Sequence, residues 1–460
     1  MKKFSGVLIS LILAVLLISS NIYAASEEDN WPNWRGSDNT GVSKTANPPI
    51  KWSETENVKW KVAMPGEGLS TPIVWENKII FLSAIETNTT SADSANTKTI
   101  LTPAANPRGG ARGSRGGGGF GSGGASTKQY KFDVVCLNRE NGQILWEKTA
   151  IQTVPHEGHQ QTGSFASSSA VTDGKHIWAG FGSRGVYCYD MDGIRIWGKD
   201  LGKMKIRAGF GEGSSVALAG DAIIVQMDQE NQSKIYALNK ENGEILWQKD
   251  RDEGTSWATP LPVEFDGKIQ VVTSATKFIR CYDVKTGDVI WQCSGQTQNV
   301  IPSPVPYLNT VICTSGYSGN KMQSIELGHE GDLTGTNAVK WEVNSRTTPY
   351  VPSPLLYGER IYILSNNKAI LSCYNAKNGT PLYESQNIEG AGGYYASPVG
   401  AAERVYLASQ NGATIVIKNS DTYEVLSTNK LDDQFDASPA LVGSQIILKG
   451  HKNIYCIEDK

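Results

Sequence analysis

Short apolar runs separated by turns recur along this chain at intervals of roughly 45 residues, a period typical of blade-like repeats. A pair of small residues, usually Ser-Pro or Thr-Pro, precedes each run, and most repeats end in a glycine turn followed by apolar residues and Trp. The eight pairs are Thr71-Pro72, Ser168-Ser169, Ser214-Ser215, Thr259-Pro260, Ser303-Pro304, Ser353-Pro354, Ser397-Pro398 and Ser438-Pro439. Short strands and turns at this spacing indicate a β-propeller.

The ends of the repeats share one pattern. Residues 138–148, 239–249, 283–293 and 375–385 each place a glycine-containing turn between two short strands. An aromatic residue follows the turn, and we expect it to dock one blade on the next. These aromatic residues are Trp60, Trp146, Trp197, Trp247, Trp291, Trp341 and Tyr383. Each repeat therefore predicts a four-stranded antiparallel blade that buries its faces only by stacking on its neighbours.

The two ends of the chain complement each other. The eighth repeat reaches the C-terminus without its last strand, whereas residues 57–63, which include Trp60, precede the first repeat. Pairing these segments would leave no exposed sheet edge between the first and last blades. The sequence thus predicts an all-β, eight-bladed propeller of four-stranded antiparallel blades, closed by an N-terminal strand. The propeller would occupy residues 57–460 as a single domain, after an N-terminal extension at residues 25–56.

The first residues read as an export signal. Lys2 and Lys3, an apolar stretch over residues 7–18 and the segment Ile22-Tyr23-Ala24 before Ala25 predict a signal peptide over residues 1–24. The apolar stretch is shorter than the roughly 20 residues that a membrane span needs, so no transmembrane span is expected after cleavage. No Cys follows the leader for lipid attachment. We therefore expect a periplasmic or secreted protein.

Composition excludes some partners. The chain has 460 residues and a net charge of −3, which does not suit a nucleic-acid partner. Residues 102–128 are rich in Gly and poor in apolar residues, so we expect a disordered insertion between the second and third strands of the first blade. Its arginines resemble an arginine-glycine nucleic-acid-binding segment, but export and negative charge argue against that function.

The seven cysteines do not predict a disulfide framework. Five of them occupy the same third-strand position in different blades, where other blades have Ala237 or Ser324. That recurrence indicates a small buried side chain, and equivalent positions in different blades lie too far apart to bridge. The five are Cys136, Cys188, Cys281, Cys373 and Cys456. Cys293 and Cys313 fall outside the pattern, and a bridge between them stays open. No metal-site spacing is present, so no metal site is predicted.

The loops predict a binding face. In a four-stranded blade, the loop before the inner strand and the loop between the second and third strands lie on one face. Here those loops carry aromatic and charged residues, whereas the turns of the opposite face are plain hairpins. We expect five residues to converge as the ligand or partner surface: Arg207, Asp228, Trp257, Arg346 and Tyr350. No G-x-S-x-G, phosphate-loop or HExxH motif is present, and no catalytic residue is assigned.

The Ser-Pro pairs, the Gly-x-x-x-Trp repeat ends and the segment WPNWRGSDNTGVS at residues 31–43 resemble the pyrroloquinoline-quinone-like (PQQ-like) β-propeller repeat family. The resemblance covers roughly the whole mature chain. Within the family, the chain is most similar to exported, BamB-like eight-bladed proteins related to the propeller subunit of the outer-membrane β-barrel assembly machinery.

The resemblance implies two functions. The first is an exported, non-catalytic binding or scaffold propeller without a cofactor, which as a monomer holds a protein, peptide or glycan partner on its loop-rich face. The alternative is a quinoprotein oxidoreductase, a PQQ- and Ca²⁺-dependent alcohol or sugar dehydrogenase. The chain has neither the adjacent cysteine pair of many such dehydrogenases nor a haem-attachment CxxCH. Since fold alone does not carry activity, these departures favour the binding protein.

Overall fold

The computed structural model describes residues 29–90, 126–365 and 368–459. Their strands form eight sheets, and each has the four antiparallel strands of a propeller blade, which confirms the predicted fold class. The predicted signal peptide, and residues 102–125 of the Gly-rich segment, lie outside the described residues. Within the described ranges, no helix is long and apolar enough to cross a membrane.

The first four blades occupy residues 73–294. Blade 1 contains β2 (Ile73–Trp75), β3 (Lys78–Thr90), β4 (Lys128–Asn138) and β5 (Ile144–Thr153). Blade 2 contains β6 (Val171–Thr172), β7 (His176–Gly180), β8 (Val186–Asp190) and β9 (Arg195–Lys199). Blade 3 contains β10 (Ala217–Ala219), β11 (Ala222–Met227), β12 (Ser233–Asn239) and β13 (Ile245–Arg251). Blade 4 contains β14 (Leu261–Phe265), β15 (Lys268–Ser274), β16 (Phe278–Asp283) and β17 (Val289–Ser294).

The remaining blades complete the ring. Blade 5 contains β18 (Val305–Tyr307), β19 (Thr310–Ser315), β20 (Lys321–Glu326) and β22 (Val339–Val343), and the short β21 (Gly331–Asp332) joins the outer edge of blade 4. Blade 6 contains β23 (Leu355–Tyr357), β24 (Arg360–Ser365), β25 (Ile370–Asn375) and β26 (Pro381–Asn387). Blade 7 contains β27 (Val399–Ala401), β28 (Arg404–Ala408), β29 (Ala413–Lys418) and β30 (Val425–Lys430). Blade 8 contains β31 (Ala440–Val442), β32 (Gln445–Lys449), β33 (Asn453–Glu458) and β1 (Val58–Ala63).

Blade 8 joins the two ends of the chain. The N-terminal strand β1 pairs antiparallel with β33, and Trp60 lies opposite Cys456. The N-terminal closure predicted from the missing last strand is therefore confirmed. It provides the fourth strand of blade 8 and fixes residues 58–63 to the C-terminal end of the chain.

The aromatic residues at the repeat ends contact the following blade. Five indole groups donate hydrogen bonds to backbone carbonyls there: Trp60 to Arg139 at 2.8 Å, Trp146 to Met191 at 3.2 Å, Trp197 to Lys240 at 2.9 Å, Trp247 to Val284 at 2.8 Å and Trp341 to Ala376 at 3.0 Å. Trp291 is fully buried, and the ring of Tyr383 lies 6.1 Å from that of Tyr423 in blade 7.

The backbone conformation and the close packing at the repeat end explain why glycine occurs there. Gly287, for example, has a φ of 72°, and a Cβ added there would lie 2.5 Å from the Trp247 ring of the preceding blade. Only glycine combines the left-handed backbone with this close approach. The Gly-x-x-x-Trp pattern thus couples each turn to the aromatic residue of the blade before it.

The small residues that precede the inner strands form a second connection around the axis. In seven successive links, the backbone N–H of one blade donates to the Ser or Thr hydroxyl of the next, at 2.8 to 3.2 Å. We call these eight hydroxyl-bearing residues the hydroxyl ring: Thr71, Ser169, Ser215, Thr259, Ser303, Ser353, Ser397 and Ser438. In blades 2 and 3, the ring residue is the second serine of the pair, Ser169 or Ser215. The repeat predicted from the sequence began one residue earlier, at Ser168 and Ser214.

All seven cysteines are buried and free. Cys293 and Cys313 are therefore unbridged thiols, which answers the question that their positions left open. Both belong to the apolar core between blades 4 and 5. Burial raises the pKa of Cys293 to about 11, so the thiol stays protonated at neutral pH and is a poor nucleophile.

Candidate functional site

A cavity of about 210 Å³ lies on the propeller axis, and every blade contributes to its wall. Its deeper layer is the hydroxyl ring. A second layer lies two residues earlier in each blade, nearer the loops that lead into the inner strands. We call it the upper ring, and it consists of Leu69, Ser167, Gly213, Trp257, Ile301, Val351, Tyr395 and Asp436. Because both rings draw one residue from each repeat, the blade geometry itself positions the cavity wall.

The two rings differ in chemistry. Each hydroxyl in the seven links accepts a hydrogen bond from a neighbouring backbone N–H, so the deep layer is polar. The upper ring is mainly apolar, with Trp257, Ile301, Val351 and Tyr395 on one side of the axis. The cavity therefore offers an apolar collar above a polar base, which suits a side chain with an apolar body and a hydrogen-bonding end.

The N-terminal extension also contributes to the cavity wall. It pairs with the inner strands beyond the hydroxyl ring, through Trp31 against Val74 and Val42 against Gly400. Between these pairs, the Pro32 carbonyl accepts a hydrogen bond from Thr172 of blade 2, and the Thr40 carbonyl accepts one from Leu356 of blade 6. Because blades 2 and 6 are opposite each other, the chain crosses the ring here, and Trp34 lines the cavity. The following Arg35 is buried and donates to the carbonyl oxygens of residues 354 and 398, at 2.7 and 3.0 Å. Burial lowers the pKa of Arg35 to about 9.

Aromatic side chains from separate blades surround the cavity mouth. The Trp257 indole donates to the Gly211 carbonyl at 2.8 Å, and its ring lies 6.4 Å from that of Phe210. The Tyr350 ring stacks on Tyr317 with centroids 4.9 Å apart. Each ring is thereby held by a neighbour while staying partly exposed, as residues that contact a ligand by stacking should be.

The structure brings two of the five predicted site residues to the cavity wall, Trp257 and Tyr350. Arg207 is exposed on the same side, where its backbone N–H donates to the Thr255 hydroxyl at 3.1 Å. Burial raises the pKa of the Tyr350 phenol, and the positive charge of Arg207 lowers it slightly. Arg346 is exposed and does not contribute to the cavity wall.

Asp228, the fifth predicted residue, lies in a buried ion pair. Its carboxylate accepts hydrogen bonds from the Arg251 guanidinium at 2.7 and 3.1 Å, and both side chains have no exposed surface. Gln226 and Ser256 also donate to it. Arg251 continues to the Tyr282 hydroxyl in the next blade. This network ties blade 3 to blade 4, and removing one partner would leave a buried charge unpaired.

The two carboxylates of the cavity wall have partners inside the protein. Glu212 binds Arg184 at 2.9 Å and accepts from the Ser183 backbone N–H at 2.7 Å. Asp436 accepts from Gln410 at 2.8 Å and lies 2.8 Å from His451. The hydrogen bond to Asp436 raises the pKa of His451. Both acids are thus held in place by partners inside the protein.

Apart from Trp257, the residues of the upper ring were not predicted as site residues from the sequence, and neither were the hydroxyl ring and Trp34. The Ser and Thr residues were noticed only as repeat markers, although their period carried the signal. Reading the residue two positions before each marker would have found the upper ring. Trp34 gave no such signal, because its place on the axis depends on how the extension crosses the propeller.

The described residues contain no group of three or more His, Cys, Asp or Glu side chains placed to hold a metal ion. The cavity wall also presents no Lys or Arg among its described residues. A quinone cofactor that carries carboxylate groups would meet the carboxylates of Glu212 and Asp436 there, and no Lys or Arg of the described wall would offset its charge. The residues present therefore do not fit that cofactor.

An eight-bladed propeller with Trp-docked blades and an axial cavity places this chain among the PQQ-like repeat propellers. Residues 130–383, more than half of the chain, match the family described as outer membrane protein assembly factor BamB, and the chain belongs to that family. Among curated proteins, no sequence matches the chain.

Solved structures share the fold at low identity. BamB from Moraxella catarrhalis is 14% identical with a TM-score of 0.51, over 71% of this chain and 93% of that one. A europium-containing methanol dehydrogenase is 10% identical with a TM-score of 0.60, over 93% and 91%. The computationally designed Ika8 protein is 11% identical with a TM-score of 0.50, over 72% and 92%. BamB and a methanol dehydrogenase both share the fold, so the fold does not distinguish a binding protein from an enzyme.

Proposed function

We propose that this protein is an exported binding propeller of the cell envelope. It holds a partner protein or peptide on the face formed by the loops before the inner strands, where the mouth of the axial cavity lies. Membership of the BamB family supports an envelope location and a protein partner. The axial cavity is the anchor point, and Trp257, Tyr350 and Arg207 form the contact surface at its mouth.

The observation that carries the proposal is the two-layered wall. Upper-ring side chains such as Trp257, Ile301 and Tyr395 offer apolar contact, and the hydroxyl ring below offers polar contact. The volume of about 210 Å³ lies below the roughly 300–1,000 Å³ of sites that enclose whole small molecules. A cavity of this size suits one or two side chains of a larger partner, whose remaining surface would rest on the loops.

Binding of an envelope protein to the immobilised mature chain tests the proposal. Trp257→Ala and Tyr350→Ala should each lose capture with little change in melting temperature, because both rings are partly exposed at the mouth. Leu308→Ala is the matched control, since Leu308 is 84% exposed at a hairpin of the opposite face. Equal capture by all variants would contradict the proposal.

The dehydrogenase alternative has its own measurement. The quinone and Ca²⁺ are added to the purified protein, and visible absorption and dye reduction with an alcohol are followed. The proposed function predicts no saturable quinone binding. Saturable binding that Trp257→Ala removes and Leu308→Ala keeps would replace the binding function with the enzyme.

A further inference from the structure

The hydroxyl ring presents hydrogen-bond donors to the axial cavity. Seven of its oxygens accept a backbone N–H from the preceding blade, and every Ser or Thr hydroxyl also carries one O–H donor. None of the eight O–H groups has an acceptor among the described residues. The eight residues are only 3–9% exposed and line the cavity. A group that enters the cavity can therefore supply the acceptor that they lack.

Thr71 shows the open donor most clearly. The links of the hydroxyl ring run from the Thr71 N–H to the Ser438 hydroxyl, and no link returns from Ser438 to Thr71. In the part of the chain that the structure describes, the Thr71 hydroxyl thus has no hydrogen-bond partner, although it lines the cavity. A buried polar group of this kind costs free energy unless a ligand or water meets it. Water can accept from these donors as well, so the charge near the ring decides which ligand is favoured.

A buried cation lies beside the hydroxyl ring. Arg35 donates to the carbonyl oxygens of residues 354 and 398, and each of these residues directly follows a member of the ring. Its guanidinium carbon lies 5.4 Å from the ring centroid of Trp34, which lines the cavity. The Nε atom of Arg35 is buried without a partner, and no carboxylate within residues 29–90, 126–365 and 368–459 pairs with the guanidinium. An anion at the base of the cavity would stabilise this charge.

The two acids of the cavity wall lie nearer its mouth. Asp436 belongs to the upper ring, and Glu212 directly precedes the upper-ring residue Gly213. Each acid already has a partner inside the protein, His451 for Asp436 and Arg184 for Glu212. The charges along the axis are thus paired acids above and an unpaired cation behind the base. One small anion in the deep layer avoids the acids, whereas a cofactor with several carboxylate groups would also meet them.

We infer that the base of the axial cavity binds a single carboxylate on an apolar body, which accepts O–H hydrogen bonds from the hydroxyl ring beside Arg35. This anchor rests on the proposed function, since the partner protein supplies the carboxylate. Hydrogen bonds to an ionised acceptor are shorter and stronger than those to a neutral one. The upper-ring side chains of Trp257, Ile301 and Val351 are apolar, so an anion with an aliphatic body suits the cavity better than a bare inorganic ion.

Butyrate, butyramide and butylammonium are matched probes, because they have similar aliphatic chains and differ in charge. Titrated into the ¹⁵N-labelled mature chain at constant ionic strength, butyrate should give saturable shifts of the hydroxyl-ring amides and of the Trp34 indole N–H. Butyramide should bind at least about tenfold more weakly, the factor for 1.4 kcal/mol, because it carries no charge. Butylammonium should give no saturable shift, since it has no acceptor for the O–H groups.

Thr71→Val is the most informative variant, because it keeps the side-chain shape and removes a hydroxyl that accepts no link of the ring. It should weaken butyrate binding about tenfold without changing the melting temperature. Thr422→Val, at an exposed hairpin, is the matched control and should bind butyrate as the unchanged protein does. Arg35→Gln should abolish butyrate binding, and Thr71→Val keeps the test decisive if that variant does not fold.

Absence of saturable shifts, equal affinity for butyrate and butyramide, or equal affinity in Thr71→Val and Thr422→Val would overturn the carboxylate site. Saturating butyrate should also displace the protein that is captured through Trp257, and butyramide should not. Capture that butyrate leaves unchanged would overturn the carboxylate anchor while the proposed function stands. Butyrate binding that depends on Thr71, without any captured protein, would support the site with a free monocarboxylate as its ligand and would contradict the proposed function.

Discussion

Lys449 provides a test of the ring closure through its buried charge. Its side chain is 1% exposed at the end of β32, where the ammonium donates to the Gly68 carbonyl of blade 1 and lies 5.6 Å from the Phe81 ring. The structure gives it no carboxylate partner among the described residues. Burial lowers the pKa of Lys449 from 10.5 to about 7.

The sign of the pH dependence follows from that shift. The unfolded chain holds the proton up to about pH 10.5, whereas the folded protein releases it near pH 7. Between these values the unfolded state binds more protons, so stability rises with pH. One pKa unit corresponds to 1.36 kcal/mol, and integration from pH 7 to 9 gives a gain of about 2 kcal/mol from Lys449 alone.

Lys449→Met keeps most of the side-chain volume and removes the charge. The free energy of unfolding, measured by urea titration at pH 7, 8 and 9, should favour the variant by about 2 kcal/mol more at pH 7 than at pH 9. Lys175→Met, at an exposed hairpin, should show a constant difference from the unchanged protein. A constant difference for Lys449→Met as well would refute the buried, proton-releasing ammonium.

Three further predictions concern the ring. Trp247→Ala and Trp291→Ala should each cost about 3–5 kcal/mol of unfolding free energy as core cavities, and near-neutral values would show that neither residue docks blades. Deleting residues 57–63 should expose β33 and cause aggregation or loss of cooperative unfolding, whereas melting like that of the full chain would contradict the closure. Ser303→Ala should cost about 1–3 kcal/mol because the buried Thr259 N–H loses its acceptor, and Ser303→Thr should restore stability. Equal stability of the Ala and Thr variants would remove the role of the hydroxyl.

The repeat made most of the fold predictable. Four strands per blade followed from the spacing, and the closure followed from a strand missing at one end and present at the other. The alignment of blades 2 and 3 with the other repeats was not determined by the sequence, because either serine of a Ser-Ser pair can align with the first residue of a Ser-Pro pair. A shift of one residue turns a side chain to the opposite face of a strand, so only the observed hydrogen bonds identify Ser169 and Ser215.

Site residues were predictable from the sequence where their position in the loop determines whether they reach the cavity. Trp257 precedes its hydroxyl by two residues and Tyr350 by three, which brings both to the cavity mouth. Asp228 follows a strand on the same face, yet its partner Arg251 lies at the end of another strand of the blade. A sequence gives no distance between such groups, so the buried ion pair could not be told from an exposed carboxylate.

The most direct test of the binding face uses a photo-cross-linking amino acid at Tyr395, in the upper ring, or at Leu308, on the opposite face. With the protein expressed in its own cell envelope, we predict one defined protein adduct from position 395 and none from position 308. Adding Trp257→Ala should reduce the adduct without changing the melting temperature. Equal adducts from both positions, or an adduct from position 308 alone, would contradict partner binding at the axial cavity.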